Sequence, residues 1–252
     1  MYSVYIPLVA SGPPRPAPPP RPTPQPPTDG RGIVHGLGVP PQYTDPQTWQ
    51  FRHVIPFFNW SETGPQSAMF TPMSWAGHPI AHRLGGDVLL FNEPEISSQG
   101  NLDPAVMVYR LQDWADWPGR VIVGGWHYWT GRAQAEAVLR LGAGLPMVDA
   151  LHLHVYDHGG GVDVARLRWW REFADGNGWP LWVTEWGFHG VDERGIVAQI
   201  PGLYNLIADI LRPERMYYFS WSYADFWPAG DAWRAGDWTE VGHAWRAAVG
   251  LE

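Results

Sequence analysis

From position 31 onward the chain alternates short, densely apolar runs with stretches in which apolar residues recur every three or four positions. The apolar runs fall at 32–39, 53–58, 68–73, 87–92, 120–125, 150–156, 181–185 and 216–221. Several are continuously apolar, the pattern of parallel strands covered on both faces. Between the later runs the spacing predicts helices over 104–114, 132–141, 162–175 and 192–211, with a last one beginning near Thr239. Asp103 stands just ahead of the first, where a side-chain cap is wanted. The early connections are shorter, and 61–67 scarcely has room for a helix. Eight strand–helix units in this length predict an α/β fold, a compact (β/α)8 TIM barrel with short or degenerate helices in its first half. A doubly wound sheet is the second possibility, but no glycine-rich phosphate loop follows the first run.

Ahead of the barrel the pattern differs. Residues 1–10 are apolar but lack the basic start and small-residue cleavage site of a signal peptide, so their role stays open between a remnant and an edge strand. Residues 11–30 are proline-rich, with ten prolines, which imposes extended polyproline II and a semi-rigid spacer. A ligand for proline-binding domains is the alternative. The expected organisation is thus an apolar segment 1–10, a linker 11–30 and one catalytic domain 31–252.

Composition narrows the chemistry. The 252 residues contain no cysteine, so thiolate and disulfide chemistry are absent. All 17 basic residues are arginine, which excludes Schiff-base and phosphate-loop lysines. A net charge of -8 without a basic cluster argues against nucleic acid and anionic membranes as partners. No apolar run approaches the ~20 residues of a membrane span. The 17 tryptophans exceed what an ordinary core uses. Some must pack inside, and others suit the apolar faces of sugar rings.

Barrel active sites gather at the C-terminal ends of strands. The fourth run ends in Asn92-Glu93-Pro94 and the seventh in Thr184-Glu185-Trp186-Gly187. By strict alternation Leu89, Phe91 and Glu93 share one face, as do Leu181, Val183 and Glu185. If those apolar residues point into the barrel, both glutamates reach its mouth. A carboxylate ending a buried strand is costly unless paired or functional. Two facing one cleft are what glycoside cleavage requires, one to protonate the leaving oxygen and one to attack or stabilise the anomeric carbon. The alternative is a pair of solvated loop-edge glutamates.

These motifs resemble the paired signatures of glycoside hydrolase clan A, whose members are retaining barrels. The resemblance implies Glu93 as acid/base, Glu185 as nucleophile and Asn92 as a ligand of the sugar 2-hydroxyl. His154-Val155-Tyr156 matches the clan's His-X-Tyr, whose tyrosine hydrogen-bonds the nucleophile. Trp221 matches the eighth-strand tryptophan beneath the reactive sugar. Within the clan, Phe91-Asn92-Glu93-Pro94, Phe57-Phe58-Asn59-Trp60 and Thr71-Pro72-Met73-Ser74-Trp75 look most like family 128, known for endo-β-1,3-glucanases. The likeness spans roughly 32–248. It departs in one respect. No arginine ends the second or third run to support the nucleophile: Arg52 precedes its strand and Arg83 lies beyond.

The remaining candidates divide between cleft and core. Trp60, Trp75, Trp126, Trp129, Trp186 and Trp221 fall at or just past strand ends, and at least two should be cleft platforms. Trp169, Trp170 and Trp245 fall in helices and should pack against the barrel. Asn59 either binds a sugar hydroxyl or forms a turn. His127 and Tyr128 follow the fifth run and are within reach of the mouth, and Glu95 reads as a rim residue beyond the proline. The loop 222–237, with Tyr223 and Trp227, is a candidate cleft wall. His152 and His154 share a strand face, which raises zinc as an alternative. The preferred reading keeps His154 beside the glutamates and His152 one layer down. The expected protein is a monomeric extracellular glycosidase without metal or cofactor, acting on a polysaccharide or oligosaccharide, β-1,3-glucan before mannan or xylan. A barrel that binds glycan without cleaving it is the alternative.

Overall fold

The structure, a computed structural model, describes residues 28–39, 56–61, 69–80, 86–142, 145–219, 230–234 and 237–251. Trp221, the loop that carries Tyr223 and Trp227, and the segments before Thr28 lie outside the described residues.

Eight parallel strands form the core sheet: β1 (Val34–Gly38), β2 (Phe57–Phe58), β3 (Met73–Ser74), β4 (Val88–Leu90), β5 (Val121–His127), β6 (Ala150–Asp157), β7 (Leu181–Phe188) and β8 (Arg215–Tyr218). Their order is β2-β1-β8-β7-β6-β5-β4-β3. A parallel bridge between Phe57 and Phe70 joins the two ends. Hydrogen bonds of 2.9 Å from Phe57 N to Met69 O and from Thr71 N to Phe57 O support it. The sheet is thereby closed into a (β/α)8 barrel.

Helices α1 (Pro104–Leu111), α2 (Arg132–Gly142), α3 (Val164–Asn177) and α4 (Glu193–Leu211) follow β4 to β7 in turn. After β8 come a hairpin, β9 (Trp233–Arg234) and β10 (Asp237–Trp238), and α5 (Glu240–Ala248). Among the described residues no helix precedes β4, in keeping with the short early connections. Side-chain caps start four of the five helices, since Asp103, Asp163, Asp192 and Thr239 each accept a first-turn N–H. A 3-10 turn, Gln112–Trp114, extends α1 to the predicted boundary.

Two apolar layers hold the barrel. Inside it, Phe58, Met73, Leu89, Ile122, Ala150, Trp182 and Tyr217 pack together, one from each of β2 to β8. Gly36 supplies the space on β1, because a Cβ there would lie 2.6 Å from the Tyr217 ring. The outer layer joins the other strand faces to the helices and carries most of the buried apolar residues. The N-terminal floor is an ion network. Asp87 binds Arg120 at 3.1 Å and Arg215 at 2.9 Å, and Glu214 accepts from Arg120 at 2.8 Å and from the Trp182 indole at 3.0 Å. Charges at this end serve stability, whereas chemistry belongs to the opposite mouth.

The strand parity differs from simple alternation. In β7 it is Trp182 that joins the inner layer, while Leu181 and Val183 belong to the outer one. A β-bulge shifts the β6–β7 register, with Leu153 facing Val183 but His154 facing Glu185. The extra residue, Thr184, turns Glu185 back to the interior. On β4 only Leu89 faces inward, and positive φ at Phe91 (73°) and Glu93 (41°) carries the chain round to aim Glu93. Both glutamates thus reach the mouth by backbone irregularities that an alternating pattern does not contain.

Candidate active site

The end of β4 is held by contact with β5. Glu93 N donates to Gly125 O at 2.9 Å. Gly125 has φ 60°, and a Cβ there would lie 2.8 Å from Phe91 O, so the close approach needs glycine. Gly77 likewise makes room for the Phe91 ring. The mouth opens into a cleft of about 580 Å³ lined by Trp60, Trp75, Asn92, Glu93, His127, Tyr156, Glu185 and Phe219, among others.

Glu93 and Glu185 meet across His154. Its Nδ1 lies 3.1 Å from Glu93 Oε1 and 3.3 Å from Glu185 Oε2, and the three ligand atoms fall within 4.8 Å of one another. The Glu93 side chain is 13% exposed, that of Glu185 6%. Two neutral donors converge on Glu185: Tyr156 OH reaches Oε2 at 2.5 Å and Trp60 Nε1 reaches Oε1 at 2.5 Å. Trp60 adopts φ 48° and sits edge-on to Phe58 and Phe219. Its indole N–H thus reaches the carboxylate from just beyond β2. Its N–H is committed to the carboxylate, and its ring lines the cleft.

The proton balance follows from these contacts. Burial pushes Glu93 up, but the hydrogen bond and charge of His154 outweigh it and hold its pKa below the ordinary value. Burial raises Glu185, repulsion from Glu93 adds to this, and His154, Tyr156 and Trp60 only partly oppose it. Burial opposes charging His154, yet the two carboxylates win and raise its pKa. Burial and the Glu185 charge push the Tyr156 hydroxyl well up, so it remains a donor. Glu93 and Glu185 are thus driven apart, one below and one above the ordinary carboxylate value.

Other predicted residues separate clearly. Asn92 lines the cleft, and its Oδ1 is buried without a hydrogen-bond partner among the described residues. Trp75 lines the cleft and is 36% exposed, so it is available as a platform. Asn59 is buried, and its Oδ1 accepts from Ser61 N at 3.2 Å, the turn-forming alternative. Trp126 and Trp186 lie outside the cleft. Trp126 stacks on Trp170 in the barrel–helix layer, where its indole N–H donates to Gln134 at 2.9 Å. Trp186 packs between Tyr204 and Tyr218 in the same layer. Each stands where its strand turns its outer face to a helix, so position at a strand end was not enough to place it.

His152 is a core residue. Its Nδ1 meets Thr184 Oγ1 at 2.8 Å and its Nε2 meets Leu90 O at 3.0 Å, while burial brings its pKa down to about 3. Both nitrogens are engaged, so His152 and His154 do not form a zinc pair. Among the described residues Glu93, His154 and Glu185 are the group whose ligand atoms come together. Glu95 is a brace rather than a rim residue, accepting from His127 N at 2.8 Å and Thr130 Oγ1 at 2.9 Å.

Sequence reasoning left His158, His189 and Phe219 out of the site, yet all three line the cleft. His158 and His189 stack at 5.0 Å, and His127 stacks on Tyr156 at 6.2 Å. Burial brings His127 and His189 down to about 4. The signal for His189 was its place directly after the β7 strand. The motif at Glu185 drew attention away from it.

No protein-family model and no curated protein matches the chain. Solved structures do. A family 128 (subgroup I) endo-β-1,3-glucanase from Amycolatopsis mediterranei, in complex with laminaripentaose, superposes with a TM-score of 0.68 at 17% identity, covering 86% of this chain and 99% of that one. A curdlan-specific exo-β-1,3-glucanase of subgroup III from Blastomyces gilchristii gives 0.64 at 21%, covering 86% and 99%. A subgroup II endo-β-1,3-glucanase from Pseudomonas viridiflava gives 0.65 at 19%, covering 84% and 96%. At such identities the likeness establishes the barrel fold along nearly the whole length of each neighbour.

Proposed function

We propose that this barrel is a retaining glycosidase that cleaves β-1,3-linked glucan, with Glu93 as acid/base and Glu185 as nucleophile. The observation that carries the reading is the meeting of the two carboxylates in one cleft, with ligand oxygens within 4.8 Å. Retention needs carboxyl groups about 5–5.5 Å apart, and inversion needs roughly 6.5–9.5 Å to admit a water. Tyr156 and Trp60 support the nucleophile by donating to both of its oxygens, which favours the ionised form.

The free site leans the other way, with Glu185 raised and Glu93 lowered. A bound sugar reverses this. Glu93 is the more exposed of the two, so it has more solvent to lose when a glucose unit covers it, and desolvation favours its protonated form. His154, within reach of both, provides the path for the proton. Glu185 then attacks the anomeric carbon as Glu93 protonates the departing oxygen, and Glu93 afterwards deprotonates the water that releases the glycosyl-enzyme. Asn92 offers its side-chain carbonyl oxygen to a sugar hydroxyl, and Trp75 offers a ring face.

The barrel neighbours described as β-1,3-glucanases support the linkage, and two of the three are described as endo-acting, which supports internal cleavage. A polymer too large to import supports action outside the cell, and among the described residues no helix is long and apolar enough to cross a membrane. We expect the protein to act as a monomer.

Reducing ends released from β-1,3-glucan, β-mannan, xylan and mixed-linkage glucan test the reading. The β-1,3-glucan should be cut with retained anomeric configuration, and Glu185→Ala should lose at least ~10³-fold in rate while keeping its circular dichroism. Inverted product, or a variant that turns over normally, would overturn the roles. Binding without any release would favour the non-cleaving barrel.

A further inference from the structure

Glu95 stands two residues beyond Glu93, and the turn that follows β5 is folded around its carboxylate. Oε1 accepts from His127 N at 2.8 Å and from Thr130 Oγ1 at 2.9 Å. The turn closes on itself, with Thr130 N and Gly131 N donating to His127 O at 3.2 and 2.9 Å. Gly131 lets it close, because a Cβ there would lie 3.1 Å from Glu95 Oε1 and 2.4 Å from Trp126. Glu95 Oε2 is buried without a hydrogen-bond partner among the described residues.

These contacts reach both halves of the carboxylate pair. Glu93 N donates to Gly125 O, so Glu93 and Glu95 hold the end of β5 at two points. Further along the same turn Tyr128 N donates to His154 O at 2.9 Å, which ties it to the strand of the bridging histidine. The His127 ring stacks on Tyr156, whose hydroxyl donates to Glu185. A shift of this turn would therefore disturb the backbone beneath Glu93 and the ring behind Tyr156 together.

Bracing alone does not require a charge. A neutral oxygen would receive the same two donors, and a buried carboxylate with one bare oxygen costs more than a buried amide. The charge has neighbours on which to act. The titratable groups it faces are Glu93 on its own turn, His127 at the end of β5 and His154 on β6. Burial raises the Glu95 pKa, and the Glu93 charge adds to this against the bonds from Thr130 and His127. Burial opposes charging His154, and Glu95 joins Glu185 and Glu93 in outweighing it. Coulomb repulsion is mutual, so an ionised Glu95 makes Glu93 harder to deprotonate in turn.

We infer that Glu95 is a positioning residue with two tasks: it locks the turn after β5 against the end of β4, and its negative charge beside Glu93 helps keep a proton there for the departing oxygen. The second task rests on the acid/base role proposed above for Glu93.

Glu95→Gln and Glu95→Ala separate the tasks. One readout is the pH profile of kcat/KM on β-1,3-glucan. The other is NMR titration of the imidazole nitrogens of His154, assigned with His154→Gln, which needs no substrate. Glu95→Gln keeps an oxygen for His127 N and Thr130, so its kcat should fall less than that of Glu95→Ala, which should lose ~10- to 10²-fold. Both variants should move the basic limb of kcat/KM down by about half to one pH unit, and His154 should charge at a correspondingly lower pH. A purely structural residue would lower kcat and leave both curves in place. An unmoved basic limb or an unmoved His154 titration in Glu95→Gln would overturn the role of the charge, and full kcat in Glu95→Ala would overturn the brace. If no form cleaves glucan, the proposed catalysis falls, and the His154 titration still decides whether the charge acts. Cleavage with His154 unmoved would strike this inference and spare the catalysis.

Discussion

Tyr156 and Trp60 each donate a hydrogen bond to Glu185 without adding positive charge. Against these donors and His154, burial and the repulsion of Glu93 still raise Glu185. Each donor should therefore matter more to turnover than to ground-state binding. Tyr156→Phe removes one hydroxyl and keeps the ring against His127 and His189. We expect kcat to fall ~10²-fold with KM nearly unchanged, the scale of losing one preorganised donor. Steady-state kinetics on a soluble β-1,3-glucan measures it, and a change confined to KM would remove Tyr156 from this role.

Secondary-structure irregularities decide where the chemistry points. Gly124 and Gly125 form the bulge of β5 with φ of 138° and 60°, and Gly125 abuts Phe91 O. Gly125→Ala would add both left-handed strain and a clash with the end of β4. It should cost ~1–3 kcal/mol in stability, and activity should fall further than stability because Glu93 hangs from the displaced segment. Urea unfolding alongside rate measurement separates the two effects. The C-terminus of α4 offers the opposite case. Arg212 caps it at φ 45° and ψ 54°, a conformation that suits glycine. Its contact with Asp175 at 3.4 Å joins two exposed side chains and contributes little. Arg212→Gly should therefore raise stability by ~0.5–1 kcal/mol, seen as a higher thermal midpoint.

At the scale of the whole molecule, buried neutral histidines make stability fall in acid. Burial brings His152 down to about 3 and His127 and His189 to about 4, all below the ordinary 6.5. Between those values and 6.5 the unfolded chain binds protons that the folded chain refuses. The stability these three histidines contribute is therefore full above about pH 6.5 and is lost as the pH falls towards 3. His152 alone contributes a slope of up to about 1.4 kcal/mol per pH unit across that window. The other two act in the same direction, more weakly because solvent screens them. The urea midpoint should fall steadily from pH 7 to pH 4, and less steeply in His152→Gln. A flat profile would mean that these imidazoles charge within the fold.

What the residues alone determined was the set of elements and the two acidic strand ends. Unbroken apolar runs require cover on both faces, amphipathic spacing supplies the helices that give it, and Asp and Thr mark where those helices begin. The same pattern placed Glu93 and Glu185 at the mouth, though by a parity that β7 does not obey. Only the closed barrel decided the rest. Whether Trp126 and Trp186 face sugar or helix, whether Trp60 stacks or donates, and that His158 and His189 join the wall all depend on bulges and positive-φ residues. These shift a side chain from one face to the other by inserting a single residue. The reason is that composition and period report how much apolar surface must be hidden, whereas direction depends on which backbone passes close enough to force a turn. That is set by strands distant in sequence, as when Gly125 presses on Phe91.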